Sequence, residues 1–230
     1  MYKSLILLSS VFIFQTTQSQ DINQLLQQAR QRLESVRDYQ ASGKMKTNVA
    51  FLKVPVANIM VYYKKPNRLK VKSEKGISFI PKGAVSINMN SMLTDKDFTV
   101  IDAGKDMING VAVRVAKLLP IDESNDLVLS TVYLEAATGL IRKARTTTRD
   151  NGTYELEMTY GKYAAYGLPD KIIFSFNTKD YKLPKGVTFD FDDGAAPKPV
   201  KADKNKKGKA EITFSSYTIN KGVPDAVFTK

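Results

Sequence analysis

The chain has no histidine, no cysteine and no tryptophan. Without histidine and cysteine it cannot build zinc, haem, iron–sulfur or copper centres that rest on imidazole or thiolate ligands. The same absence removes Ser-His-Asp and Cys-His nucleophilic catalysis. No disulfide can form, so the fold must be held by core burial alone. A lipid anchor on cysteine is excluded as well. Long apolar runs are scarce: beyond residue 14 no stretch approaches the ~20 apolar residues of a membrane helix. Two chemistries pass this filter, carboxylate-only catalysis such as glycoside hydrolysis and an oxygen-ligand Ca²⁺ site.

The first residues read as a secretory signal peptide. Lys3 supplies the positive start, Leu5 to Phe14 (LILLSSVFIF) the apolar stretch, and Thr17 and Ser19 the small residues at −3 and −1. The apolar stretch is too short to span a bilayer of roughly 30 Å. Cleavage is expected before Gln20, so residues 1–19 are the signal peptide and residues 20–230 the mature, exported protein. Removing 19 of 230 residues leaves 211, the size of one domain with a substantial core.

The formal net charge is +12. Such an excess suits acidic partners, and export makes anionic lipid headgroups or glycans better candidates than nucleic acid. Colloidal solubility explains it equally well. Much of the excess lies in residues 197–209 (PKPVKADKNKKGK), a lysine-rich stretch broken by Pro197 and Pro199 and read as a solvated loop or hairpin tip.

Residues 21–38 predict a helix. Asp21 can cap it with Gln24 three residues on, and Ile22, Leu25, Leu26, Ala29, Leu33 and Val36 fall on one face. After Asp38 the pattern turns to strands, near 39–49, 56–64, 67–74, 77–81, 98–103, 110–118, 127–135, 139–149, 152–161, 169–178, 186–192 and 209–219. Asp150-Asn151-Gly152 is a tight-hairpin signal, and closely spaced hairpins imply an antiparallel meander. Residues 82–97 lack a clear strand period and fit a short helix with a loop. A dozen strands in one sheet tend to curl, and an incompletely filled concave face is an apolar ligand site.

The order of elements resembles the periplasmic lipoprotein-carrier and lipoprotein-sorting proteins, the LolA-like family. Four pieces carry the resemblance: Leu25 to Met45 (LLQQARQRLESVRDYQASGKM); Val61 to Leu69 (VYYKKPNRL); Ile108-Asn109-Gly110-Val111 with Leu118-Leu119-Pro120 and Tyr133 to Arg142 (YLEAATGLIR); and Tyr217 to Val223 (YTINKGV) with Phe228. Together they span nearly the whole mature chain. The resemblance implies an α+β fold, a strongly curved antiparallel β-sheet forming an incomplete barrel around a few helices. It implies a carrier that shields acyl chains in the cavity between sheet and helices. Each buried CH₂ is worth about 0.8 kcal/mol, so such a ligand needs an apolar cavity and no catalytic group. The family's closing arginine, ahead of the Pro-Asn turn, is Lys65 here, with Arg68 three residues on. Lysine lacks the planar bidentate contact of arginine. The aromatic at the end of that turn is Leu69.

The expected ligand-binding residues are Leu25, Leu26, Ala29 and Leu33 on the helix, Leu69, and an adaptable rim of Ile77, Phe79, Met89 and Met92. Ordinary core packing accounts for the same residues. Asp190, Asp192 and Asp193 could bind Ca²⁺, but no Gly-centred twelve-residue loop surrounds them. Glu155 and Glu157 stand about 7 Å apart on one strand face, where a solvent face explains them more simply than catalysis. No catalytic residue, metal or cofactor is therefore expected. The protein is expected to be a non-enzymatic periplasmic binder of a lipid or acylated lipoprotein, able to lie at an anionic membrane surface. The rival reading is an envelope module that binds a protein partner and reports stress.

Overall fold

The computed structural model describes residues 21–48, 56–66, 68–73, 98–122, 126–149, 152–177 and 207–229. They form one α-helix, α1 (Ile22–Ser35), and ten strands. The strands are β1 (Asp38–Asn48), β2 (Ala57–Lys64), β3 (Arg68–Ser73), β4 (Phe98–Ile108), β5 (Val111–Pro120), β6 (Leu127–Glu135), β7 (Ile141–Thr148), β8 (Gly152–Thr159), β9 (Lys171–Asn177) and β10 (Lys207–Ile219). Two single-turn 3₁₀ helices, Ala164–Tyr166 and Asp225–Val227, complete the described elements. The expected few helices thus reduce to one α-helix among the described residues. The strands expected near 77–81 and 186–192, and residues 82–97, lie outside them.

All ten strands join one sheet in the order β3-β2-β1-β10-β9-β8-β7-β6-β5-β4, every neighbouring pair antiparallel. The chain runs as two meanders, and β10 returns to pair with β1. The sheet is curved and unclosed, with β3 and β4 at its two edges. Register shifts at Ser42/Gly43, Asp102/Lys105, Leu127/Leu129 and Tyr133/Leu134 add the local bending that bulges supply.

Sequence boundaries fail at two places, each for a physical reason. The first is β4, expected to stop at 103 but running to Ile108. Ala103-Gly104 looks like a turn, yet it is a bulge: Gly104 has φ +91° and its N–H donates to Asp102 Oδ1. The real turn is Asn109-Gly110, both residues at positive φ, the geometry of a type I′ hairpin.

The second is α1, which ends at Ser35 rather than Asp38. At its start Asp21 caps Asn23 N–H, as expected. At its end the free carbonyls find distant partners: Lys65 Nζ donates to Glu34 O (2.6 Å) and Asn220 Nδ2 to Ser35 O (2.9 Å). Asn220 Oδ1 also accepts from Arg37 N (2.7 Å). One side chain from the far end of the chain thus serves donor and acceptor where the helix gives way to β1. Asn220→Ala should lower stability by about 1–2 kcal/mol, read as a lower urea midpoint. Asn220→Asp, which keeps the acceptor, should recover part of it.

The inward face of the sheet carries two apolar clusters. Ile22, Leu25, Leu26, Ala29 and Leu33 of α1 lie among Leu118, Leu134, Ile141, Leu156 and Phe174, from five successive strands. Val36 joins the second cluster, on β1, β2 and β10, with Met45, Ile59, Val61, Tyr63 and Tyr217. The apolar stripe read from the helix is therefore the stripe that is buried.

Candidate ligand-binding face

Strand alternation places the concave floor. On β8, Tyr154, Leu156 and Met158 point inward, and on β9 Phe174 and Phe176 do so at the paired positions. Tyr154, Phe174 and Phe176 form a tilted aromatic row, with centroids 5.7 and 5.3 Å apart. Two buried hydroxyls, Ser130 and Thr146, face each other across β6 and β7 and bond at 3.0 Å. They put a satisfied polar pair in a mainly apolar face, which also buries the Thr47 hydroxyl without a partner among the described residues.

Beside that floor, the β1–β2–β10 side gathers tyrosines. Tyr39 stacks on Tyr63 (5.3 Å), and Tyr217 packs edge-on against Tyr39 and Tyr163. Tyr217 Oη donates to Pro169 O (2.8 Å). Burial raises the pKa values of Tyr39 and Tyr217 well above the usual phenol value, so both stay neutral.

Two glycines let α1 lie close to the sheet. A Cβ on Gly139 would stand 3.2 Å from Leu25 O, and one on Gly167 would stand 3.4 Å from Arg32 Cβ; both glycines have positive φ. Between them opens a small cleft lined by Ala29, Arg32, Leu33, Leu140, Ile141 and Tyr160, with inner room for about one water. Arg32 Nη1 is buried there with no hydrogen-bond partner. Tyr160 Oη donates to Ile141 O (2.9 Å), and burial holds its pKa up. The Arg142 guanidinium stands 5.7 Å from the Tyr160 ring centre and grips Glu135, with Nε at 2.8 Å. Arg32 thus places a cation at the junction of helix and floor, and among the described residues it makes no ion pair. In the sequence Arg32 falls among the polar residues Gln27, Gln28, Arg30, Gln31 and Glu34 of the helix. Its place beside the stripe, three residues after Ala29, was the available signal.

The sequence-predicted residues divide as follows. Leu25, Leu26, Ala29 and Leu33 are buried together between helix and floor. Leu69 is half-buried on β3, in contact with the second cluster. Ile77, Phe79, Met89 and Met92 lie outside the described residues, as do Asp190, Asp192 and Asp193 and residues 197–206. Lys207–Lys209, at the end of the lysine-rich stretch, begin β10, which starts two residues ahead of the strand expected at 209–219. Lys65 reaches the helix end. Arg68 serves another contact: with Lys64 it binds Asp225 (2.7 Å each) and it lies over the Phe228 ring, holding the C-terminal segment. Glu155 pairs with Lys143 at 2.9 Å on the outer face. Among the described residues no group of acidic side chains has the arrangement to hold a metal, and no helix is long and apolar enough to cross a membrane.

This architecture is the LolA-like fold. The chain is similar to a LolA superfamily protein from Nitrosomonas europaea, with a TM-score of 0.57 at 12% identity, over 90% of this chain and 97% of that one. It is also similar to a domain assigned to outer membrane lipoprotein sorting from Vibrio parahaemolyticus (TM-score 0.51, 12% identity, 90% and 95% covered). A DUF1329 family protein from Desulfovibrio piger matches at TM-score 0.51 and 10% identity, with 90% and 97% covered. No family model and no curated protein matches the sequence.

Proposed function

We propose that the protein is an exported, non-enzymatic binder of acyl chains, from a lipid or an acylated lipoprotein, which it carries across the periplasm on the concave face of its sheet. One observation carries this reading. Apart from the buried hydroxyls of Thr47, Ser130 and Thr146, the inner face is apolar from β2 to β5, while α1 is the one helix of more than a single turn laid on it among the described residues. Fourteen residues make a helix of about 21 Å. Ten strands at ~4.8 Å spacing make a face of about 43 Å. The helix covers a stripe of that face, and an acyl chain is chemically matched to it and would exchange for apolar contacts already made there.

The small cleft is the entry point that this reading implies. A chain slides in where α1 meets the floor and replaces side-chain contacts with acyl contacts, an exchange of like for like in apolar burial. The Lys65 link to Glu34 O holds one end of α1 during that exchange, and Arg32 offers a charge to an anionic head. The lipoprotein-sorting domain from Vibrio parahaemolyticus lends the fold a relevant precedent.

Native mass spectrometry of the processed protein, with organic extraction and lipid analysis, tests the proposal. The expected result is a stoichiometric acylated species of unaltered mass. Leu26→Glu should reduce loading about tenfold or more, by placing a charge on the apolar stripe; Leu26→Met should load normally. A protein that is empty, takes up no fluorescent fatty acid and coelutes with a defined envelope protein would overturn the carrier reading in favour of a protein-binding module.

A further inference from the structure

The outer face of the sheet is not uniform. On β7 and β8 the outward residues alternate in sign, Lys143 and Arg145 facing Glu155 and Glu157, with Lys143 and Glu155 in contact. On the other half of the sheet the balance is lost. Across β3, β2, β1 and β10 the outward positions carry Arg68, Lys70, Lys72, Lys64, Lys44, Lys46 and Lys209 against Asp38 and Glu211. Lys64 and Arg68 are answered by Asp225, and Lys70 donates to Thr229 O. Glu211 is bound by Lys171 of β9 (2.9 Å) and lies opposite Lys46, so its one charge is shared among Lys171, Lys46 and Lys209.

Lys44, Lys46, Lys72 and Lys209 remain. All four are exposed, and among the described residues none makes an ion pair. They span four strands, about 15 Å of sheet width. Within the same field lie Met60 and Tyr62, half-buried, with the Lys72 ammonium 5.5 Å from the Tyr62 ring centre. A field of mobile point charges around a tyrosine and a methionine suits a surface of many anionic headgroups. It does not suit one planar anion, for which arginine is the better ligand. Tyrosine is also a residue of the membrane–water boundary.

We propose that the outer face of β3-β2-β1-β10, centred on Lys44, Lys46, Lys72 and Lys209, docks the protein on a bilayer surface of anionic phospholipid. The contact is reversible and peripheral, because lysines near such a surface each multiply partitioning only about fivefold and salt screens them within about 8 Å at 0.15 M.

Sedimentation of the processed protein with phospholipid vesicles tests this. Binding is expected to vesicles containing phosphatidylglycerol and not to phosphatidylcholine alone, and should be lost at about 0.5 M salt. Lys44→Gln, Lys46→Gln, Lys72→Gln and Lys209→Gln together should weaken it about 600-fold, the product of four fivefold effects. A control with the same charge change elsewhere, Lys105→Gln, Lys117→Gln, Arg145→Gln and Lys162→Gln, should bind within about threefold of wild type. Equal loss in both variants would overturn the proposal in favour of net charge alone. Equal binding to both kinds of vesicle would overturn it too, and would point to lipid uptake by the concave face. No binding to phosphatidylglycerol at low salt, with retention on heparin, would also overturn it and name another polyanion as partner.

Discussion

Gly43→Ala should destabilise the protein by about 3 kcal/mol and lower its melting temperature by about 6–12 °C. Gly43 sits in β1 at the register shift against β10, the seam where the two meanders join. An added Cβ there would stand 2.5 Å from the carbonyl oxygen of Thr213 and 3.2 Å from Cα of Phe214. Both neighbours are backbone, so no side chain can swing away. The two strands must part, and the seam is where the chain's first and last strands hold each other. Gly222→Ala supplies the contrast. Nothing lies within 4 Å of the Cβ that it would add, and its cost of about 1–2 kcal/mol comes from the positive φ alone. A Gly43→Ala variant no less stable than Gly222→Ala would mean that β1 and β10 approach less closely than described.

Most of the strand pattern was legible, because inside and outside alternate cleanly along these strands. Tyr154, Leu156 and Met158 alternate in the sequence with Glu155 and Glu157, and they form one face of β8. What the sequence concealed was long-range. The end of α1 is decided by Asn220 and Lys65, and nothing within residues 33–38 records their presence. At Asp102–Gly104 a bulge and a turn share the same residue types, and only the pairing of β4 with β5 tells them apart.

The site follows the same rule. The apolar stripe of α1 could be read because helical spacing is local. Its polar neighbour Arg32 could not be separated from Arg30 or Gln31, since only the positions of Gly167 and Tyr160 give it a cleft. The lysine field is invisible in any single strand. Lys44 and Lys46 alternate with Met45 as on any solvated strand. The excess emerges only when Lys72 of β3 and Lys209 of β10 are brought beside them.

Leu25→Ala should lower stability by about 3 kcal/mol, within the 2–5 kcal/mol typical of buried leucines. Leu25 is wholly buried in the middle of the helix stripe, over the β6–β7 turn at Gly139. Its truncation leaves a cavity that α1 cannot close, because Lys65 and Asn220 hold its end and Gly139 sets its height. The ligand reading adds a second expectation. A lipid present at about 100 times its Kd stabilises a native protein by about 2.7 kcal/mol. If acyl chains lie against the stripe, the cavity gives them methylene-sized room, and saturating lipid should raise the melting temperature of Leu25→Ala by more than that of wild type. Equal lipid-induced shifts in both proteins would place the ligand away from α1. A loss below about 0.5 kcal/mol without lipid would mean that the helix is not seated on the floor at all.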